Sequence, residues 1–156
     1  MTAPLVVHSP VAGTVVDLGD VRDDVFADRV MGDGVALAPL RQATPAPVVA
    51  PVAGTIAKLF RGGHGVAIET ADGVQVLVHV GIDTVELYGD GFTVHAAEGD
   101  AVETGDPLVD VDLDRLAALE VDATTPVVVI SGHAVRVLAT GDVAPGDPLL
   151  EVTDRQ

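Results

Sequence analysis

An all-β chain, a sandwich or barrel of short strands, is the fold class the sequence predicts, and three observations carry it. Hydrophobic residues make up 48% of the 156 residues while aromatics make up only 3%. The core therefore has to be built from Val, Leu, Ile and Ala, and abundant valine favours strands. Seventeen glycines and ten prolines are spread along the chain and punctuate it into many short segments. Most of the apolar runs between them are too short for helices. The length suits one domain, residues 1–156, with a single substantial core.

In chain order, Val11–Leu18 follows the Ser9-Pro10 turn, and Gly34–Ala38 follows Gly32-Asp33. Val48–Ala50 and Val52–Phe60 are divided by Pro51, which cannot donate to a ladder. Gly65–Glu69 and Val74–Val80 hold the β-branched residues of a hairpin around Thr70-Ala71-Asp72-Gly73. Leu108–Val111, Pro126–Ile130, Ala134–Leu138 and Leu149–Val152 complete the strand candidates. One helix is expected at Asp112–Glu120, with acidic residues in its first turn and Leu113, Leu116 and Leu119 at helical spacing. A helical turn fits between Val21 and Val30, and residues 40–47, with two prolines, read as a surface connection.

Two internal echoes run through this pattern. Ser9-Pro-Val-Ala-Gly-Thr-Val15 recurs as Ala50-Pro-Val-Ala-Gly-Thr-Ile56, and Val102-Glu-Thr-Gly-Asp-Pro-Leu108 recurs as Val143-Ala-Pro-Gly-Asp-Pro-Leu149. Each copy joins a Pro/Gly turn to a short apolar strand, which predicts repeated β-architecture and not duplicated binding sites. Two copies are too few for a solenoid.

The formal charge is −16, from 24 acidic and 8 basic residues. That charge repels nucleic acid and anionic membranes and suits a basic protein partner. Without cysteine there is no disulfide, thiolate nucleophile or thiolate metal site. The N-terminus has neither a charged n-region nor an apolar h-region, and no run approaches 18 apolar residues, so the sequence predicts a cytoplasmic protein with no direct membrane insertion.

Chemistry concentrates in His64 and His79. A four-residue hairpin loop between them sets the two histidines directly opposite. A two-residue Asp72-Gly73 loop makes them diagonal neighbours on the same face, and a three-residue loop separates them. Two same-face imidazoles suit either a metal or the transfer of a group between nitrogens. Val80-Gly81-Ile82-Asp83-Thr84 then interrupts the second strand and delivers an acid and a hydroxyl. A phosphoryl acceptor needs one ring nitrogen free and the other held by a hydrogen bond, with a second imidazole able to donate to the phosphoryl oxygens. Gly62-Gly63 lets a partner's backbone come close. His8, His95 and His133 have no such company and read as structural.

Three strings carry a family resemblance: Val25-Phe-Ala-Asp-Arg-Val-Met-Gly-Asp-Gly-Val-Ala36, Ala50-Pro-Val-Ala-Gly-Thr-Ile-Ala-Lys-Leu-Phe60, and Val78-His-Val-Gly-Ile-Asp-Thr-Val-Glu-Leu-Tyr-Gly-Asp-Gly-Phe92. In order, and over nearly the whole chain, they resemble the glucose-type enzyme IIA of the bacterial phosphoenolpyruvate:sugar phosphotransferase system. The resemblance implies a flattened antiparallel β-sandwich or barrel with short helical segments. It also implies a phosphohistidine carrier that works without a metal or organic cofactor. His79 matches the residue phosphorylated at Nε2, and His64 matches the second histidine, which supports the phosphoryl group. Phosphate would come from the carrier HPr and leave to a cysteine of a sugar-specific enzyme IIB domain. Phe26, Val30, Val35, Phe60, Val80 and Val85, with Asp83, would form the partner-binding surface. Two positions depart from the family pattern: Gly62 stands where a threonine is common, and Val66 where a phenylalanine is usual.

Other functional classes fit parts of the same pattern. A non-catalytic regulator fits the resemblance too, since the unphosphorylated form of such proteins binds transporters or metabolic enzymes and phosphorylation releases them. A zinc hydrolase using His64 and His79-x-x-x-Asp83 wants three protein ligands and an open position, and the chain has no His-x-His pair and no other part of the peptidase signature. Zinc shared by His64, His79 and a partner's carboxylate is the metal arrangement that remains open. A biotin or lipoate carrier is disfavoured because Lys58, the only lysine, lies in a strand without flanking methionines.

Overall fold

The computed structural model describes residues 4–41 and 45–153. Its strands are β1 (Leu5–His8), β2 (Gly13–Asp17), β3 (Asp33–Pro39), β4 (Ala46–Val49), β5 (Gly54–Leu59), β6 (Gly65–Glu69), β7 (Gln75–His79), β8 (Phe92–Val94), β9 (Ala101–Val102), β10 (Pro107–Val111), β11 (Thr125–Val129), β12 (Val135–Val137), β13 (Asp142–Val143) and β14 (Pro148–Val152). Two short helices, α1 (Asp24–Ala27) and α2 (Leu113–Ala118), and 3-10 turns at Leu18–Asp20 and Thr84–Leu87 complete the described secondary structure. The all-β expectation is met, and every strand pair is antiparallel.

One eight-stranded sheet runs in the order β13-β2-β3-β11-β7-β6-β5-β9, and two three-stranded sheets run β1-β14-β12 and β4-β10-β8. Period-two alternation gives the large sheet two apolar faces. Val35, Leu37, Val66, Ile68, Val76, Val78, Val127 and Val129 fill the main core with residues of the small sheets, such as Val48, Leu108, Leu149 and Leu150. Ala36, Ala67, Leu77 and Val128 point to the other face and meet Leu18, Val21, Phe26 and Ile82 in a smaller cluster. His79 shares the parity of Leu77, so β7 presents it beside this second cluster.

The sequence echoes become structural equivalents. β10 and β14 are each the middle strand of a small sheet and show the same in-and-out pattern of burial. The turns before them are closed alike: Asp106 accepts the Glu103 N–H at 2.9 Å, and Asp147 accepts the Ala144 N–H at 2.8 Å. β2 and β5, which follow the Pro-Val-Ala-Gly copies, sit one strand in from opposite edges of the large sheet.

Local chemistry places the helices. Asp112 caps α2 by accepting the Arg115 N–H at 2.9 Å, and Leu113 and Leu116 are buried. The helix is shorter than expected and ends in a turn before Glu120, a positive-φ residue. Asp23 caps α1 within the expected 21–30 turn. β2 and β5 start later than the apolar runs suggest, because the Pro-Val-Ala steps ahead of them bend. β1, β9 and β13 were not expected; all are short, and tertiary pairing creates them. The expected connection at 40–47 ends earlier, since β4 begins at Ala46, and its residues 42–44 lie outside the described residues, as do the first three of the N-terminus.

Candidate functional site

The hairpin that carries the histidines differs from both arrangements expected to bring them together. Thr70 and Val74 pair, with the Thr70 N–H donating to the Val74 carbonyl at 2.8 Å and Gly73 N–H to the Thr70 carbonyl at 3.0 Å. The loop is therefore the three residues 71–73, and the register sets Gly65, not His64, opposite His79. By strand alternation alone that register separates the histidines. Their rings nevertheless lie 5.2 Å apart, centroid to centroid, nearly perpendicular.

His64 escapes the alternation because it precedes β6. Gly62 and Gly63 adopt φ of +92° and +95°, a region side chains avoid, and turn the chain just before it. The bend is closed by Gly63 N–H to Phe60 carbonyl and Phe60 N–H to Gly65 carbonyl, both 2.8 Å, and the His64 carbonyl takes the Val80 N–H at 2.6 Å. Glycine at 65 completes the arrangement: a Cβ there would stand 2.5 Å from the Phe60 ring. Phe60 thus packs over the bare backbone opposite His79 and reaches both imidazoles, at 5.3 Å from His64 and 6.1 Å from His79. Phe26, delivered by α1, covers His79 from another side at 5.1 Å.

The ring nitrogens of His79 are distinguished by one contact. Nδ1 lies 2.8 Å from the Gly81 carbonyl oxygen, which only accepts, so Nδ1 carries the proton and Nε2 of the neutral ring holds the lone pair. One backbone dihedral and two hydrogen bonds hold the turn that carries that carbonyl. Gly81 takes φ +78°, Ile82 N–H donates to the Asp122 carbonyl at 2.9 Å, and the buried Thr84 hydroxyl donates to the Val80 carbonyl at 2.6 Å.

Burial depresses the pKa of both histidines. For His79, burial outweighs the Gly81 hydrogen bond and the charges of Asp23 and Asp83, which favour the protonated ring. For His64, burial acts with the like charge of His79 against a hydrogen bond to the Arg61 backbone. The pair is therefore neutral at neutral pH, a state in which Nε2 of His79 is nucleophilic. A shallow depression of about 450 Å³ opens over the two rings, lined by Lys58, Phe60, Arg61, His64, His79 and Val85.

Of the expected surface residues, Val30 and Val85 are 72% and 57% exposed, Asp83 is exposed and Phe60 is half-buried. Phe26 is buried, though its ring contacts His79. Val35 and Val80 are core residues, at 3% and 2% exposure, and offer no surface, because both point into the main core. Val25, Met31 and Tyr88 are exposed apolar residues that sequence reading did not single out. It also missed Arg61, whose place beside the histidines depends on the Gly62-Gly63 turn. The three other histidines stand apart: His95 pairs with Asp110 at 2.9 Å, His133 bonds Ser131 at 2.8 Å, and His8 lies at the end of β1. Among the described residues no three His, Asp or Glu side chains gather to hold a metal.

Comparison with known proteins bears on the same residues. Residues 5–135 match the model of the phosphoenolpyruvate-dependent sugar phosphotransferase system, EIIA 1 family. The PTS system glucose-specific EIIA component of Halalkalibacterium halodurans is 46% identical over 123 residues, 79% of this chain and 69% of that protein. The PTS system glucose-specific EIICBA component of Staphylococcus carnosus is 38% identical over 149 residues, 94% of this chain, which spans only 22% of that longer protein. Among solved structures, glucose permease IIA from Mycoplasma capricolum superimposes with a TM-score of 0.90 at 32% identity over 97% of both chains. By matching sequence over residues 5–135 and matching fold, the chain belongs to the EIIA 1 family of the phosphoenolpyruvate-dependent sugar phosphotransferase system.

Proposed function

We propose that His79 is the phosphoryl acceptor of this phosphotransferase component and that Nε2 is the atom phosphorylated. The observation that carries the assignment is the 2.8 Å contact from Nδ1 to the Gly81 carbonyl, which leaves Nε2 with the lone pair. Family membership makes the chain a phosphoryl carrier in sugar uptake. The finer steps are our reading. The Nε2 lone pair attacks the phosphorus of a phosphohistidine on HPr; the new N–P bond forms as the old one breaks, and its electron pair returns to the donor imidazole. In the second half, a thiolate on an EIIB-type partner attacks phosphorus, and the N–P electron pair returns to Nε2 of His79.

The negative phosphoryl charge favours the protonated ring of His64, which then keeps one N–H on the Arg61 backbone and donates the other to the phosphoryl oxygens, whose charge is the part of the transition state that positioned donors stabilise. The 5.2 Å spacing of the two rings supports that role. Val85, which lines the depression, and the exposed Val30 are the apolar contacts we assign to docking partners. The relative named EIICBA supports an EIIB-type acceptor. Sugar selection belongs to that partner, and the setting is cytoplasmic. The unphosphorylated face also suits regulatory partners, since phosphorylation adds a charge of about −1.5 to −2 at the contact surface. Transfer in this scheme calls on no organic cofactor, and zinc enters only where a partner's carboxylate joins His64 and His79.

The test is phosphoryl transfer from phosphoenolpyruvate through enzyme I and HPr, with label followed by gel and mass. Wild type and His64→Gln take up label, His79→Gln takes up none, and phospho-His64→Gln passes phosphate onward poorly. An unlabelled wild type in the presence of active HPr would overturn the reading.

A further inference from the structure

We infer that Arg61 is the phosphoryl-binding cation of this site, an arginine that gains its ionic partner only when His79 is phosphorylated. The inference rests on the carrier reading above and adds a residue and a state-dependent contact to it. Phosphorylated His79 must carry a charge of about −1.5 to −2, in a chain of net charge −16 and with Asp23 and Asp83 already acting on the same ring. Such a group needs a nearby cation whose charge is not already matched.

The described cations are mostly taken. Arg29, Arg41, Arg115 and Arg136 each hold a carboxylate at 2.9 Å or closer. Lys58 stands on the rim of the histidine depression but faces Glu98 at 3.9 Å, and Glu98 is itself fixed by the Leu59 N–H at 3.0 Å. Among the described residues, Arg22 and Arg61 have no carboxylate within ion-pair distance. Arg22 lines a different depression, among Asp83, Glu86, Glu120 and Asp122. Arg61 lines the one over His64 and His79.

Its backbone position is fixed beside the chemistry. Arg61 lies in the turn closed by Gly63 N–H to Phe60 carbonyl at 2.8 Å, just ahead of His64. The exposed guanidinium is free to swing over the rings. A planar fork of donors matches two phosphoryl oxygens at once, a geometry lysine lacks. His64 donates to the phosphoryl group from within the sheet face, and Arg61 closes over it from the rim.

Because the contact belongs to the phosphorylated state, it shifts an equilibrium and not only a rate. Purified phospho-HPr is mixed with wild type, Arg61→Gln, Arg61→Lys or Lys58→Gln, and the phosphoryl distribution is measured at equilibrium from both directions. Arg61→Gln shifts the distribution toward HPr by about tenfold, the size of one lost charge-assisted hydrogen bond. Arg61→Lys recovers part of the loss, and Lys58→Gln shifts it less than Arg61→Gln. The ³¹P titration of phospho-His79 moves upward by about half to one unit in Arg61→Gln, as expected when an opposite charge is removed. An Arg61→Gln variant that reaches the wild-type distribution, even slowly, overturns the inference and makes Arg61 a docking residue. A wild type that takes no phosphate overturns the carrier reading itself.

Discussion

An imidazole nitrogen attacks phosphorus only when it carries no proton, so with His79 as the proposed acceptor its charge state sets the pH range of the reaction. Protonated below its pKa, the ring has no lone pair at Nε2; neutral above it, the ring has one. Burial places that pKa below the usual 6.5. The acid limb of phosphorylation rate against pH therefore has its midpoint below 6.5, measured by rapid quench with excess phospho-HPr. Asp23→Asn, which removes a charge favouring the protonated ring, moves the limb further down; an upward shift would mean that Asp23 acts otherwise. The same depression has a stability sign. Between the folded and unfolded pKa values the unfolded chain binds more protons, so the contribution of His79 is complete above 6.5 and is lost as pH falls through the folded value. At this scale the sequence was legible in the residues that matter: both histidines, the glycine after His79 and the hydroxyl of Thr84 stood out. The way the histidines meet was not legible, because it comes from Gly62, Gly63 and Gly65 and from a ring, Phe60, that fills the space opposite His79.

Elements hold the site to different degrees, and the turn from Val80 to Thr84 is the most exacting. Gly81 at φ +78° has no room for a side chain: a Cβ would lie 2.5 Å from Thr84 Cγ2 and 3.0 Å from the Asp122 carbonyl. Gly81→Ala is expected to destabilise the fold by about 1–3 kcal/mol in urea titration. It should also slow phosphorylation by shifting the carbonyl that fixes the His79 tautomer. Adding Thr84→Ser removes the crowded methyl yet keeps a hydroxyl for the Val80 carbonyl, and so restores part of the stability. If the double variant were no better than the single, the Asp122 carbonyl would be the dominant obstacle. Longer strands were legible from their β-branched runs and flanking turn formers. The two-residue strands β9 and β13 were not, since Ala101-Val102 and Asp142-Val143 have no pattern of their own and exist through pairing with β5 and β2. The hairpin loop shows a further limit: Thr70 to Gly73 announces a turn, but whether two, three or four residues form it depends on which carbonyls close it.

For the whole molecule, charge dominates encounter. At −16, transfer from a basic carrier should slow as salt rises, by about tenfold between 0.01 and 0.5 M, in second-order rates from stopped-flow quench. A flat profile would assign docking to the exposed apolar residues Val30 and Val85 instead. The echoed segments proved to be architecture, as their chemistry suggested, since β10 and β14 centre the two small sheets and neither copy bears a reactive side chain. The pairing of β1 with β14 sets Leu5 directly against Val152. A domain joined before β1 and one joined after β14 would thus hang from a single point, and either attachment gives nearly the same reach. Once an acceptor domain is tethered there, linker length sets its local concentration at His79, which falls roughly as the −3/2 power of that length beyond the matching span. A circular permutant that joins the old ends by a short linker and opens the exposed tip between β6 and β7 would move the tether point to the other end of the histidine hairpin.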